Sequence, residues 1–297
     1  MLSILIPTYN YDITLLVRQL KVQLEKVSLT YEIIVADDAS SHSEIIKKNK
    51  GIEKLSFCKY IGLKENIGRS KIRNLLTKQA NHDNLLFLDA DVVPLHDSFI
   101  QVYLDHLPLV TDVVYGGIVY QAKKPKKQQV LRWKYGNNRE ALSVEKRVKE
   151  PYISFLTLNF LIKKSVFDKV TFNEEIPNLR CEDTLFAMEA KKNKLSIHHI
   201  HNPIIHLGLE TSEIFLKKSL ESIDVRKSFV KEKLLYSHQT KITHLAKKIY
   251  KLRLHILVVL AYRLIGSFLK RNILSANPSM IAFDLYRLGY YFDSKER

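Results

Sequence analysis

Cysteine is almost missing from this chain. The two that occur among 297 residues, Cys58 and Cys181, lie far apart and fit no metal-ligand spacing. A disulfide framework is therefore not indicated, and the reducing cytosol is the expected compartment. Glycine is sparse too, at nine residues, and no G-x-G-x-x-G follows the first apolar run, which argues against a dinucleotide site of the Rossmann type. The Gly-rich, Arg-containing N-terminal loop of a pyrophosphorylase is likewise missing. The most apolar stretch, near residues 252–260, is broken by Arg253, His255 and then Arg263. It is too short and interrupted to span a bilayer. Residues 1–6 lack a basic leader and are cut off by Pro7 and Asn10, so they read as a first β-strand rather than a targeting signal. There is no internal repeat and no recognisable nucleic-acid module, so nucleic acid is not an expected partner.

What is present is enough for a core: 46% of residues are hydrophobic. Positive charge is in excess, with 47 Lys and Arg against 31 Asp and Glu, a net +16. The partners that fit are an anionic membrane surface or anionic substrates, against the plainer alternative of solvated lysine faces. Strand-like and helix-like segments alternate over the first ~120 residues: strands at 2–7, 32–36, 54–61, 85–88 and 112–117, and helices at 13–27, 42–48, 68–80 and 97–107. This pattern predicts an α/β fold, a mostly parallel sheet with helices on both faces. Residues 123–150 are polar and charged and read as a mobile surface connection. Apolar character returns at 152–162, a helix is expected at 182–192 and a strand at 195–200, and the pattern from 212 onward is helical with a break at Asn277-Pro278.

In a parallel sheet, ligands bind beyond the carboxyl ends of the strands. Two acidic pairs stand there. Asp89 and Asp91 follow Leu85-Leu86-Phe87-Leu88 as a D-x-D motif. Carboxylate oxygens suit the hard cation that a nucleoside diphosphate needs, and such a cation also stabilises charge on a departing leaving group. The same strand-Asp-x-Asp-x-Val run resembles the start of a HAD-type phosphohydrolase with Asp89 as nucleophile. That motif normally opens a chain, whereas about three strands precede it here. Asp37 and Asp38 follow Ile33-Ile34-Val35-Ala36. A carboxylate at this point can accept from a pyrimidine imide N–H or a ribose hydroxyl; the alternative is an Asx turn with Ser40 or Ser41 capping the next helix.

Four motifs in order, Ser-Ile-Leu-Ile-Pro-Thr-Tyr-Asn (3–10), Ile-Val-Ala-Asp-Asp-Ala-Ser (34–40), Asn-Ile-Gly-Arg-Ser-Lys-Ile-Arg-Asn (66–74) and Leu-Asp-Ala-Asp (88–91), resemble glycosyltransferase family 2 with its GT-A fold. The resemblance continues through Asn159-Phe160, Cys181-Glu182-Asp183 and His206, over roughly residues 1–210. It implies an inverting hexosyl transfer from a nucleotide sugar, with UDP expected and GDP or dTDP as alternatives, to a glycan or lipid-linked acceptor of polysaccharide biosynthesis. Pro7, Thr8 and Tyr9 then wall the nucleoside pocket. Asp38 reads the base with Asp37 behind it. Asn66, Gly68, Arg69 and Arg73 sit near the diphosphate, which suits a helix N-terminus with arginine. Asp91 is implied as the main ligand of Mn²⁺ or Mg²⁺, with Asp89 on the donor or on the metal and His206 completing the metal site. Asp183 is implied as the catalytic base, with Glu182 supporting it. The family often has Gly where this chain has Cys181. Trp133, Tyr135 and Asn159 are the acceptor-side candidates, packing being the alternative for the two rings. His198, His199 and His201 are read as surface or packing residues.

The expected organisation is a GT-A domain over 1–210, with a nucleotide-binding half to about 120 and an acceptor-side half from about 121, followed by a basic, largely helical region over 211–297. The Lys- and Arg-rich helices after 214 are expected to lie on an anionic membrane surface, pack on the catalytic domain, or pair with another copy. The expected location is cytoplasmic, with peripheral association at the inner face of the cytoplasmic membrane. A non-catalytic sugar-nucleotide or membrane-binding protein on the same fold is the remaining alternative.

Overall fold

The computed structural model describes residues 1–107, 112–178 and 180–294. The elements run β1 (Leu2–Thr8), α1 (Thr14–Leu24), β2 (Tyr31–Asp37), α2 (Ser43–Lys50), β3 (Cys58–Gly62), α3 (Arg69–Gln79), β4 (Asn84–Leu88), β5 (Val92–Pro94), α4 (Phe99–His106), β6 (Val113–Tyr115) and β7 (Ile118–Val119). They continue with α5 (Val130–Arg139), α6 (Val144–Lys149), β8 (Asn159–Lys163), α7 (Lys164–Phe167), α8 (Glu182–Lys192), β9 (Ile197–His199), β10 (Ile204–His206), α9 (Ser212–Lys231), α10 (Lys241–Lys251), α11 (His255–Ile273) and α12 (Met280–Asp293). The chain divides into two compact units. The first is Met1–Val119, Ala141–Asn178 and Glu182–Gly208; the second is Tyr120–Glu140, Leu179–Cys181 and Leu209–Arg297.

The first unit is built on a seven-stranded sheet of order β3-β2-β1-β4-β8-β6-β9, with a small second sheet β5-β10-β7. The run Leu2-Ser3-Ile4-Leu5-Ile6 is apolar on both pleat faces because β1 is central, paired in parallel with β2 on one side and β4 on the other. A strand buried on both faces needs such a run. The sheet is mostly parallel, as the alternation predicts, but β8 enters antiparallel between β4 and β6. Winding reverses between β1 and β4, and such a switch point opens a crevice at the strands' carboxyl ends. Beneath it lies an aromatic cluster. Phe87 stacks on Phe160 at 4.8 Å and Phe172 on Phe186 at 4.5 Å, which seats α8 on the sheet through Phe186.

The segment 123–150 is not the irregular connection its charge suggests. It forms α5 and α6, because Val130, Leu131 and Tyr135 recur at helical spacing among the lysines. In the second unit α5 packs through Leu131 against Leu216, Leu269, Ile273, Ala282 and Phe283. In the first unit α6 sends Arg147 inward. Its guanidinium donates to the carbonyls of Ile200 at 2.8 Å, Leu142 at 3.1 Å and Tyr115 at 3.3 Å, and lies over the Tyr115 ring. Burial lowers its pKa from the usual arginine value. The reading of His199 as a packing residue holds: its ring stands edge-on to Tyr115 and accepts no solvent contact of note, being 5% exposed.

Burial and the neighbouring Arg147 charge push His199 down to about 4. An unfolded histidine titrates near 6.5. The unfolded chain therefore binds a proton that the fold rejects, and stability falls as pH drops from about 6.5 to about 4, by roughly 3 kcal/mol from this residue. Urea melts at pH 7 and pH 4.5 should show this loss, and His199→Gln should flatten it.

Candidate active site

The carboxyl ends of β1 and β2 are joined where the Asp38 N–H donates to the Thr8 carbonyl at 2.9 Å. Both aspartates of the turn are buried and hydrogen-bonded. Asp37 accepts from Ser40 N–H at 2.7 Å and from the Tyr60 hydroxyl at 2.5 Å. Burial, then the hydrogen bond to Asp37 and its charge, raises the Tyr60 pKa well above its ordinary value. Asp38 accepts from the backbone N–H groups of Ile67 at 2.7 Å and Gly68 at 3.0 Å, just before α3 begins. A carboxylate before a helix N-terminus holds orphan donors and favours the macrodipole. Burial nevertheless raises the Asp38 pKa, with Asp37 adding to the rise. Asp37 makes the turn and Asp38 fixes the loop, but neither Ser40 nor Ser41 caps the next helix, whose N-cap position is His42 with no side-chain hydrogen bond.

That loop is shaped by a glycine requirement. Gly68 has φ +86°, and a Cβ there would lie 2.6 Å from Asn178 Cγ. Asn178 bridges the loop, donating to Asn66 Oδ1 at 2.9 Å and accepting from Arg69 N–H at 3.3 Å. Of the β1 trio, Thr8 is buried, Pro7 half-buried, and Tyr9 exposed at the strand end.

One helical turn along α3, Arg73 is buried at the centre of an ion-pair network. It binds Asp89 Oδ1 at 2.7 Å and lies 3.5 Å from Glu182 Oε1 at the start of α8. Arg69 reaches the same Glu182 oxygen at 3.5 Å. Burial alone would lower the Arg69 pKa, but Glu182, Asp89 and Asp183 hold it above its ordinary value. The Asp89 pKa is raised by burial, and by Asp91, against the lowering effect of Arg73. Asp89 is held by the buried Arg73, with Asp91 two residues further along the chain. Asp183, beside Glu182, accepts from Thr184 N–H at 2.7 Å. Cys181 has φ +77°, the backbone conformation that explains why glycine is common at that place.

Asp91 and His206 meet across the small sheet. His206 pairs with Val92 in the ladder, the Leu207 N–H donates to the Asp91 carbonyl at 2.8 Å, and His206 Nε2 stands 3.5 Å from Asp91 Oδ2. A Cβ at Gly208 would overlap Asp91 Oδ2, so this carboxylate position needs glycine two residues after the histidine. Tyr11 belongs to the same region: burial raises its pKa first, and the Asp91 charge second. Among the described residues no three His, Cys, Asp or Glu side chains converge as a metal site. One carboxylate and one imidazole do fit a borderline cation that is shared with a diphosphate and waters, because the ligand's oxygens fill the other positions.

The acceptor-side candidates fare differently. Asn159 is wholly buried and cannot meet an acceptor. Its amide donates to the carbonyls of Gly117 at 2.9 Å and Asn202 at 3.0 Å, and its oxygen accepts from Tyr103 at 2.7 Å. Tyr135 is a packing residue of the second unit, its ring 5.1 Å from Phe215 and 5.6 Å from Phe283. Trp133 is only half-buried, with its indole N–H on the Gln121 carbonyl at 2.7 Å. Asn178, Tyr60, Tyr11 and Gly208 were not singled out from the sequence. Only Gly208 left a trace there, as a glycine closing the His206 strand.

A mostly parallel sheet whose carboxyl edge carries a buried Asp turn, an arginine-bearing helix start, a D-x-D motif and an acidic helix start defines a GT-A glycosyltransferase. The profile of Glycosyl transferase family 2 matches residues 3–171. Chondroitin synthase of Escherichia coli is 32% identical over 115 residues, covering 38% of this chain and 16% of that protein. Among solved structures, the mannosyltransferase PcManGT from Pyrobaculum calidifontis in complex with GDP-Man and Mn²⁺ has a TM-score of 0.59 at 12% identity, over 98% of this chain and 84% of that one. S. aureus TarS 1–349 in complex with UDP-GlcNAc has a TM-score of 0.49 at 17% identity, over 97% and 90%. The chain belongs to glycosyl transferase family 2, a family of sugar-transferring enzymes. The phosphohydrolase alternative falls with that assignment, and Asp89, held by Arg73, is no poised nucleophile.

Replacing Arg73 by Met takes the ion-pair partner from Asp89 and leaves Glu182 with Arg69 alone. Breaking a buried pair in this way costs about 3–5 kcal/mol. A drop of that size in chemical denaturation is expected, with Arg73→Lys recovering part of it.

Proposed function

We propose that the enzyme transfers a sugar from a UDP-sugar to a hydroxyl of a glycan or lipid-linked acceptor, by direct displacement with inversion and with help from a divalent cation. The observation that carries this reading is the ion-pair network in which Glu182, next to Asp183, holds both Arg69 and Arg73 while Arg73 also holds Asp89. It ties the acidic start of α8 to the donor side of the sheet within the first unit.

In this reading the nucleoside lies against Pro7, Thr8 and Tyr9. Asp38 still has acceptor capacity beyond its two backbone donors, enough for an imide N–H. Asn66 and Gly68 shape the loop beside the diphosphate, and Arg69 is the half-exposed guanidinium that faces it. Asp91 and His206 would hold Mn²⁺ or Mg²⁺, which neutralises the diphosphate and the charge that develops on it as it leaves. Asp183 takes the proton of the acceptor hydroxyl as that oxygen bonds to the anomeric carbon and the bond to the diphosphate breaks. Glu182 positions the arginines and leaves the base role to its neighbour.

Thermal unfolding with a panel of sugar nucleotides, with and without Mn²⁺, tests this directly. A nucleotide at a hundred times its Kd stabilises the fold by about 2.7 kcal/mol. The metal-dependent part of the shift should vanish in Asp91→Ala. Gly208→Ala should behave like it, because the added methyl displaces the Asp91 carboxylate. Asp183→Asn should keep the shift and lose turnover by about 10²–10⁴-fold. No shift with any nucleotide would overturn the donor-site reading; a shift without turnover on any acceptor would favour the non-catalytic binding protein.

A further inference from the structure

In the second unit, α11 is apolar on the wrong side for a helix that only packs. Gly266, Leu269 and Ile273 face inward, toward the cluster that includes Phe283 of α12. At 100° per residue, Leu257, Leu260, Leu264 and Phe268 fall on the opposite side. All four are exposed, Leu264 by 83% and Phe268 by 74%. Exposed apolar side chains continue through the bend between α10 and α11. There the Leu254 N–H donates to Ile249 O at 3.1 Å, and Arg253 takes φ +58° at the left-handed position that ends a helix. This turn pushes Leu252, Leu254 and Ile256 outward as a corner. Ile281 and Leu285 of α12 add exposed apolar side chains one turn apart.

Charge says what such a surface can meet. Residues 241–273 contain eight Lys and Arg and no Asp or Glu. Lys247, Lys248 and Lys251 on α10 and Lys270 and Arg271 on α11 are exposed. In a two-fold contact between copies this basic rim would confront itself, because the acids of α12 are already engaged, Asp284 by Arg139 and Asp293 by Arg263. Lipid phosphates supply the missing charge, and acyl chains accept the leucines and phenylalanine. No single helix among the described residues is long and apolar enough to cross a membrane. The α10–α11 pair reaches that composition only together, across a bend of 116°.

The geometry points to a monotopic docking surface: α11, the α10–α11 corner and the exposed edge of α12 bind the face of an anionic bilayer. That surface keeps the enzyme at the interface where a lipid-linked acceptor resides, which selects the lipid-linked class among the acceptors proposed above.

Flotation of the full chain with phosphatidylcholine vesicles, with and without phosphatidylglycerol, tests it. Binding is expected only with the anionic lipid and should fall as salt is raised. Each of Lys247→Gln, Lys248→Gln and Lys251→Gln should weaken it about fivefold. Leu264→Gln with Phe268→Gln should weaken it by about tenfold or more. These exposed changes should leave the melting curve and the nucleotide-induced shift intact, so a failed donor site and a failed membrane surface give different results. Equal binding to neutral vesicles, or retention of binding by both variant sets, would overturn the inference. A dimer that Leu264→Gln/Phe268→Gln dissociates, without vesicle binding, would assign the stripe to a second copy. Association that survives alkaline carbonate would place the bent pair inside the bilayer instead of on it.

Discussion

The buried guanidinium of Arg73 is the constraint around which the first unit's site is arranged. A charge this deep is tolerated only when it is paired and hydrogen-bonded. Its partners come from separate parts of the chain: Asp89 from the end of β4, and Glu182 from the start of α8. The requirement to neutralise one cation therefore fixes the distance between the D-x-D motif and the acidic helix start. Arg69, one turn earlier and half-exposed, extends the same network toward solvent. The aromatic cluster below holds the scaffold rigid, since Phe186 on α8 and Phe87 on β4 belong to one packed group.

Negative charge is handled in two ways along the same sheet edge. Asp37 and Asp38 are buried and satisfied by backbone N–H groups and a tyrosine, so they shape loops before they meet any ligand. Asp91 is more open and faces an imidazole, a pairing suited to sharing a cation. Gly208 and Gly68 make these placements sterically feasible, one by leaving room for a carboxylate and the other by adopting a backbone that side chains resist.

Much of this was legible in the residues. Apolar runs ending in Asp-Asp and Asp-Ala-Asp marked the carboxyl ends of β2 and β4, because strands buried on both faces need continuous apolar sequence and their polar termini then stand out. The arginines at the start of α3 and the acidic pair of α8 stood out through the resemblance to the family and not through periodicity. Asn159 was misread, because a conspicuous polar residue opening a strand looks the same whether it faces a ligand or ties three buried loops together. The segment 123–150 was misread because its lysines mask the spacing of Val130, Leu131 and Tyr135. Its Arg147 is held by carbonyls, which leave no side-chain signature to match.

The sequence by itself determined the strand order's raw material, the family and the chemistry on offer at the sheet edge, since these depend on local periodicity and residue type. Tertiary structure alone decided which side chain each carboxylate meets. Asp89 meets Arg73 of α3, and Asp91 meets His206 because β10 pairs with β5, contacts between residues far apart in the chain. It also decided that the leucines of α11 face outward, because one side of that helix is already filled by the core of the second unit and no side chain of the described chain covers the other.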